Sequence, residues 1–132
     1  MRPADLRVII VDDNRDAATM LARLTTIAGF SVVAEISDST VALERIKQEL
    51  PDVVILDIGM PIMDGYVLAR RIRAEMAKSP RLVAVTGYGK DDDKKKAGEA
   101  GIDVHFTKPV SWPKLELLLT SYLNGPRDET PA

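Results

Sequence analysis

The sequence predicts one α/β domain in which a parallel β-sheet carries helices on both faces. Three observations support this fold class. Short runs rich in β-branched residues alternate with stretches whose apolar residues recur at helical spacing. The run Val53-Val54-Ile55-Leu56 is apolar throughout, which is typical of a parallel strand covered on both sides. The chain has 132 residues, enough for one domain and too few for two.

Five strand-like runs are each followed by a helical pattern, which is the arrangement of consecutive βα units. We predict strands at 8–11, 31–36, 53–56, 82–85 and 104–107. We predict helices at 17–28, 43–50, 68–76 and 91–100, and a last helix that Ser111 caps and that carries apolar residues as far as Tyr122. Residues 1–124 should therefore form the domain, and 125–132 a polar, flexible tail.

Composition excludes several classes of site. The chain has no cysteine, so it cannot form disulfides, zinc-thiolate sites or a thiol nucleophile, and we expect a cytoplasmic location. The net charge of −2 favours neither DNA nor an anionic membrane surface as a partner. The apolar runs are too short to span a bilayer, and Asp5 precedes the first of them, unlike in a signal peptide. We therefore expect no DNA binding and no membrane contact.

Polar residues stand where the predicted strands end. Asp12 and Asp13 follow the first strand, Asp57 the third, Thr86 the fourth and Lys108 the fifth. Because the carboxyl ends of parallel strands meet at one edge of a sheet, these side chains should share one pocket.

The chemistry of such a pocket suits phosphoryl transfer. Clustered carboxylates repel one another, and Mg²⁺ relieves the repulsion while also binding phosphate oxygens. A carboxylate can accept a phosphoryl group covalently. An ammonium and a hydroxyl can then stabilise the charge on the phosphoryl oxygens.

Four motifs at the strand ends closely resemble those of CheY-like receiver domains, the phosphoacceptor modules of two-component response regulators. They are Val11-Asp12-Asp13-Asn14, the segment from Leu56 to Gly65, Val85-Thr86-Gly87, and Thr107-Lys108-Pro109. The resemblance runs from about Leu6 to Leu123. It implies a flavodoxin-like fold with strand order 2-1-3-4-5 and five helices.

The resemblance implies a Mg²⁺ site and a phosphoacceptor. Asp57 matches the phosphorylated aspartate, which also binds the metal. Asp13 matches a direct metal ligand, Asp12 one that acts largely through water, and Gly59 one that uses its backbone carbonyl.

It also implies roles for the residues after strands four and five. Thr86 matches the switch hydroxyl and Lys108 the lysine that binds the phosphoryl group. The Lys108–Pro109 bond is similar to one that is cis in the family.

The sequence departs from the best-studied receivers at three positions. His105 stands where Tyr or Phe is common, so an aromatic rotamer switch is in doubt. Gly59 and Tyr88 occupy positions that tune the phosphoryl lifetime, so that lifetime is not predicted. Three segments, 12–18, 86–89 and 103–109, resemble receivers of hybrid histidine kinases in particular, so the chain could be a free regulator or part of such a kinase.

As a receiver, the chain would be a signalling domain and not an enzyme in its own right. The phosphodonor would be a histidine kinase or a histidine phosphotransfer protein. Phosphorylation would switch a protein-binding surface around the helix at 91–100, strand five and the last helix. The output would be a downstream protein or an output or kinase domain outside this chain. The helix at 91–100 should be the least stable, because its only apolar residues are Ala97 and Ala100 and Gly98 lies in its interior.

Three other functions compete with this one. A haloacid-dehalogenase-type phosphatase would need a second aspartate two residues after Asp57, where Gly59 stands. A flavodoxin-like FMN carrier would need a phosphate loop rich in serine or threonine after strand one, whereas that loop is acidic. A pseudo-receiver that only binds proteins should have lost an acidic position or the lysine, and none is lost.

Some of these residues also admit a purely structural interpretation. Asp12-Asp13 on its own would be read as a turn and helix cap. Asp64 is best interpreted as the cap of the third helix. Met60 and Met63 are interpreted as apolar loop filling. Trp112 could equally anchor a partner or pack at the start of the last helix.

Overall fold

The computed structural model describes residues 1–87, 95 and 98–124. A short 3-10 turn at Pro3–Asp5 precedes the first strand. The described strands and helices are β1 (Arg7–Val11), α1 (Arg15–Ile27), β2 (Ser31–Ile36), α2 (Ser39–Glu49), β3 (Val53–Asp57), α3 (Gly65–Glu75), β4 (Arg81–Thr86), β5 (Val104–Thr107) and α4 (Trp112–Asn124). All five predicted strands are confirmed, with ends that shift by at most one residue.

The structure describes only part of the helix predicted at 91–100. Lys95, Gly98 and Glu99 are helical. The other positions of that helix up to residue 97 lie outside the described residues. So do Tyr88 and the predicted tail at 125–132.

The five strands form one parallel sheet in the order β2-β1-β3-β4-β5, which confirms the order implied by the resemblance. The register places the strand ends side by side. Val11 pairs with Leu56, and Asp57 pairs with Val85. Thr86 pairs with Thr107 at the same edge. The residues that follow β1, β3, β4 and β5 therefore converge.

Alternate residues of the central strands point to opposite faces of the sheet, as the two-residue period of a strand requires. Ile9 and Leu56 belong to the apolar core under α2 and α3. Ile10 and Ile55 belong to the core under α1 and α4. Each such side chain, fully buried, contributes about 1.5–3 kcal/mol to folding. Two covered faces confirm the predicted architecture.

Asparagine and aspartate cap the helices that begin near the convergent edge. Asn14 precedes α1, and its side chain accepts a hydrogen bond of 3.1 Å from the Ala17 N–H. Asp64 precedes α3, and its side chain accepts one of 3.0 Å from the Val67 N–H. The interpretation of Asp64 as a helix cap is confirmed. Ser111 precedes α4 and accepts only a long contact of 3.5 Å from the Lys114 N–H.

Three other residues have structural roles. Trp112 packs against the core under α1 and α4, so its packing interpretation is confirmed. Met60 is buried in the core under α2 and α3, and Met63 packs against the same core, as expected of apolar loop filling.

At the opposite edge of the sheet, one arginine joins three segments. The Arg73 guanidinium donates hydrogen bonds to Ser79 Oγ (2.9 Å) and to the Pro80 carbonyl (2.6 Å). It also donates to the Gly101 carbonyl (2.9 Å) and to Asp103 Oδ2 (2.8 Å). These bonds tie the end of α3 to the segments that lead into β4 and β5.

Among the described helices, none combines the length and the apolar character that a membrane span requires.

Candidate functional site

The structure brings together the three aspartates expected at the convergent edge. Asp12, Asp13 and Asp57 each offer a carboxylate oxygen, and these oxygens lie within 4.8 Å of one another. Asp12 is 8% exposed and Asp57 7% exposed, whereas Asp13 is exposed to solvent. The cluster therefore has a buried floor and one side that water reaches.

Lys108 supplies the positive charge of the site. Its Nζ lies 3.5 Å from Asp57 Oδ2 and 3.8 Å from Asp12 Oδ2. Its backbone N–H donates a bond of 2.7 Å to the Thr86 carbonyl, which holds the turn after β5 against the end of β4. The Lys108–Pro109 bond is cis, as the resemblance implies.

Backbone donors hold the two buried carboxylates in place. The Gly59 N–H donates to Asp57 Oδ1 at 3.1 Å. The Asn14 N–H donates to Asp12 Oδ1 at 2.9 Å. Burial raises the pKa of the Asp12 carboxyl above its ordinary value, and the charge of Asp57 adds to the rise, although the Asn14 N–H opposes it. A cation that binds here would lower the cost of keeping both carboxylates ionised.

The loop after β3 contains a conformation that the sequence did not predict. Ile62 has φ of +69°, and the Met63 N–H donates a bond of 2.7 Å to the Pro61 carbonyl, which makes a γ-turn centred on Ile62. Ile62 is 89% exposed. A β-branched residue is a poor signal for positive φ, so nothing in the pattern could have revealed this turn.

The expected switch residue Thr86 and the position of His105, where a rotamer switch is in doubt, lie on neighbouring strands. Thr86 is buried at the end of β4, 2% exposed, and Gly87 follows it in the loop. His105 lies half-buried on β5. The part of the loop that contains Tyr88 lies outside the described residues.

The donor set fits a magnesium ion. Its side-chain donors are hard carboxylate oxygens, the kind that Mg²⁺ prefers, and the sequence has no cysteine to offer a soft thiolate. The exposed side of Asp13 leaves space for the water molecules that Mg²⁺ usually retains. Gly59, whose carbonyl is expected to contribute, is exposed beside Asp57.

Comparison with known proteins agrees with the fold. A family model described as the response regulator receiver domain matches residues 8–120. This match decides against the phosphatase and FMN-carrier alternatives, which belong to other families.

Curated relatives differ in how much of their own length the chain covers. The chain is 31% identical over 121 residues to an uncharacterized 14.6 kDa protein of Leptolyngbya boryana, covering 90% of this chain and 91% of that protein. It is 36% identical to the probable transcriptional regulator ycf27 of Guillardia theta, covering 89% of this chain but 45% of the relative. It is 25% identical to the osmosensing histidine protein kinase SLN1 of Saccharomyces cerevisiae, covering 89% of this chain and 10% of the kinase. Among these three, the likeness to a kinase is thus the weakest.

Solved structures share the fold over nearly their whole length. The signal receiver domain of a DNA-binding response regulator from Colwellia psychrerythraea has a TM-score of 0.85 at 25% identity, with 92% of this chain and 100% of that chain covered. The receiver domain of the response regulator NarL from Mycobacterium tuberculosis has a TM-score of 0.83 at 27% identity, with 92% and 98% covered. Since the family model also spans most of the sequence, the chain belongs to the family of response regulator receiver domains of two-component systems.

Proposed function

We propose that the chain accepts a phosphoryl group on Asp57 from a phosphohistidine of a histidine kinase or histidine phosphotransfer protein. The observation that carries this proposal is the convergence of the Asp12 and Asp13 carboxylates and the Lys108 ammonium on the buried carboxylate of Asp57. Asp12, Asp13, Asp57 and the Gly59 carbonyl are proposed to hold Mg²⁺. The ion would neutralise charge on the phosphoryl oxygens when bound.

In the proposed transfer, a carboxylate oxygen of Asp57 forms a bond to phosphorus while the phosphorus–nitrogen bond of the donor histidine breaks. The electron pair of that bond stays on the imidazole, and an acyl phosphate is formed. The Gly59 N–H holds Asp57 Oδ1, which leaves Oδ2 on the side of the Lys108 ammonium. Lys108 then pairs with a phosphoryl oxygen, and the Thr86 hydroxyl donates a hydrogen bond to another.

The response is proposed to be a changed protein-binding surface around the segment at 91–100, β5 and α4. Thr86 lies at the end of β4, next to β5 in the sheet, so a shift of its hydroxyl toward the phosphoryl group changes the packing behind β5. The target would be a downstream protein, or an output or kinase domain outside this chain. That the role is signalling and not turnover of a substrate follows the family, and the cytoplasmic location stays a prediction.

The test is intact-protein mass spectrometry after incubation with acetyl phosphate and Mg²⁺. The parent should gain one phosphoryl group, and omission of Mg²⁺ or addition of a chelator should abolish the gain. Asp57→Asn should gain none. Asp64→Asn is the matched control, because this aspartate lies in the same loop and asparagine caps a helix equally well.

Equal labelling of Asp57→Asn and the parent would place the acceptor elsewhere. A parent that gains no phosphoryl group, while remaining folded by circular dichroism, would instead support the pseudo-receiver alternative.

A further inference from the structure

The loop between β3 and α3 is fastened to α2 by a buried hydroxyl group. Ser39 is the first residue of α2 and is 5% exposed. Its Oγ donates a hydrogen bond of 3.1 Å to the Pro61 carbonyl, which lies 22 positions further along the chain. The bond therefore joins two parts of the fold that are distant in sequence, and the phosphoryl transfer proposed above makes no use of it.

The Pro61 carbonyl is a fixed point of this loop. It accepts a second hydrogen bond, of 2.7 Å, from the Met63 N–H. A backbone carbonyl has two lone pairs, so both are engaged. The pyrrolidine ring fixes φ of Pro61, and the preceding Met60 is buried. The path of the chain is thus set just before the exposed γ-turn at Ile62.

Gly59 lies between two anchored stretches of the loop. Upstream of it, the Ile58 N–H donates to the Val85 carbonyl and the Ile58 carbonyl accepts from the Gly65 N–H, each at 3.0 Å. Downstream of it, the chain is held at the Pro61 carbonyl. Glycine has more conformational freedom than any other residue, so the direction of the Gly59 carbonyl depends on these neighbouring anchors.

Mg²⁺ and Ca²⁺ differ in how much rigidity they demand of their ligands. Mg²⁺ requires nearly ideal octahedral geometry at about 2.0–2.1 Å, whereas Ca²⁺ accepts about six to eight oxygens at about 2.3–2.6 Å in flexible arrangements. A carbonyl ligand that is held in one direction therefore favours Mg²⁺. A carbonyl that is free to move lowers the affinity for Mg²⁺ more than the affinity for Ca²⁺.

We propose that Ser39 is a positioning residue of the metal site: its hydroxyl fixes the loop that presents the Gly59 carbonyl and so favours Mg²⁺ over Ca²⁺. Ser39 acts through Pro61 and not by contact with the ion. Its side chain carries no charge, so its contribution is one of geometry. This role rests on the proposed function, in which the Gly59 carbonyl and three aspartates hold the metal.

Ser39→Ala removes the hydroxyl without changing any charge at the site. Thr25→Val is the matched control, because Thr25 is fully buried on α1 and its Oγ1 donates a bond of 2.7 Å to the Leu21 carbonyl. Each variant loses one buried hydrogen bond to a backbone carbonyl, so both should be less stable than the parent. Only Ser39→Ala releases the loop.

Titration calorimetry measures the Mg²⁺ affinity and, separately, the Ca²⁺ affinity of each full chain. In Ser39→Ala the Mg²⁺ affinity should fall by about three- to tenfold, within the range that one neutral hydrogen bond can supply, and the Ca²⁺ affinity by less than about twofold. Thr25→Val should bind both ions like the parent. The ratio of the two affinities is the decisive quantity, because a general loss of stability would not change it.

A second measurement needs no metal. NMR relaxation gives the backbone order parameters of Gly59 and Met60 in the metal-free chains. These order parameters should be lower in Ser39→Ala than in the parent, because the loop has lost its attachment to α2. They should be unchanged in Thr25→Val.

Parent-like order parameters in Ser39→Ala, or an equal loss of Mg²⁺ and Ca²⁺ affinity, overturn the proposal. Acetyl phosphate labelling of the parent keeps it apart from the proposed function. If the parent takes a phosphoryl group in the presence of Mg²⁺ but Ser39→Ala keeps the parent's ratio of affinities, only the role of Ser39 is disproved. If the parent takes no phosphoryl group but Ser39→Ala loses the preference for Mg²⁺, the proposed transfer is disproved and the role of Ser39 stands.

Discussion

Asp13 differs from the other two aspartates of the cluster in its exposure. Asp12 and Asp57 are buried and each accepts a backbone hydrogen bond, whereas Asp13 is open to water. The resemblance of the motifs already implies that Asp13 is a direct metal ligand and Asp12 one that acts largely through water. Exposure suggests why Asp13 suits a direct ligand, because an exposed carboxylate can turn toward an arriving ion without breaking an existing bond.

Asp13→Ala should lose most of the Mg²⁺ affinity, because it removes a charged oxygen ligand. The metal-free variant should be no less stable than the parent, since it also removes one of three mutually repelling carboxylates. Titration calorimetry measures the affinity and urea unfolding the stability. Asp16→Ala, a change of an exposed acid in the first turn of α1, is the control. Parent-like Mg²⁺ affinity in Asp13→Ala would rule out its role as a ligand.

Ile62 holds a backbone conformation that L-residues avoid, at a cost of about 1–2 kcal/mol. Ile62→Asn should raise the free energy of unfolding by about 1 kcal/mol, because asparagine tolerates positive φ and the exposed isoleucine buries little surface. Chemical denaturation measures the change.

The control for this prediction is Val41→Asn, which replaces another exposed β-branched residue, here within α2. It should change stability by no more than about 0.5 kcal/mol in either direction. A loss of stability in Ile62→Asn would mean that the side chain makes a contact worth more than the strain.

At the scale of elements, α3 begins so close to β3 that only glycine fits at its first position. A Cβ on Gly65 would lie 2.7 Å from the Asp57 carbonyl oxygen and 2.9 Å from Ile58 Cα. These are backbone atoms of the very segment that carries the acceptor, so they cannot move without disturbing it. The close approach explains why Gly65 follows the capping Asp64.

Gly65→Ala should therefore destabilise the domain by about 1–3 kcal/mol, the usual cost of overpacking, even though alanine is the better helix former. Gly98→Ala is the matched control. Gly98 is helical, and a Cβ there would meet nothing within 4 Å. That variant should gain about 0.5–1 kcal/mol. Thermal unfolding measures the change in stability of each variant. A change of the same sign in Gly65→Ala and Gly98→Ala would contradict the prediction.

The four hydrogen bonds of Arg73 join α3 to the segments before β4 and β5. Arg73→Ala should cost about 2–3 kcal/mol, because two carbonyl groups and one hydroxyl lose this donor and Asp103 Oδ2 keeps only its bond from the Leu82 N–H. Arg73→Lys should recover little of the lost stability, since one ammonium cannot reach all four acceptors. Arg70→Ala is the control, since this exposed side chain makes no ion pair or hydrogen bond within the described residues. Unfolding in urea measures the stability of Arg73→Ala and of Arg70→Ala. Equal stabilities of these two variants would contradict the proposed role of Arg73 in joining the segments.

At the scale of the molecule, the fold could be predicted because its signals are local and repeated. Apolar strands such as Val53–Asp57 are marked by their composition, and short βα units leave few possible topologies. The strand order came from resemblance and not from pattern, since no periodicity distinguishes β2-β1-β3-β4-β5 from other orders.

The members of the site could be predicted because polar residues at strand ends are conspicuous among apolar ones. Their geometry could not be, because the 3.5 Å separation of Lys108 Nζ from Asp57 Oδ2 depends on how the ends of β3 and β5 are placed on either side of β4. The same holds for the bond from Ser39 to Pro61 and for the bonds of Arg73, which join residues up to 30 positions apart. Such features appear only after the whole chain has folded.

Mg²⁺ should raise the thermal midpoint of the parent chain and leave that of Asp13→Ala nearly unchanged. An ion that binds the native state and not the unfolded chain stabilises the former by mass action. Differential scanning fluorimetry across a Mg²⁺ series, with Ca²⁺-free buffers and matched ionic strength, measures the shift. A shift of equal size in both proteins would show that the ion acts through general screening and not through this cluster.

The site is assembled from β1, β3, β4 and the turn after β5, so no contiguous stretch of chain contains it. A ribosome that has released residues 1–87 has delivered the three aspartates of the site but not Lys108, and β5 has yet to join the sheet. On the proposed function, such a nascent chain cannot drain phosphoryl groups from the donor. On the same proposal, only a chain that has formed β5 and placed Lys108 would accept the phosphoryl group, so acceptance would require the folded domain.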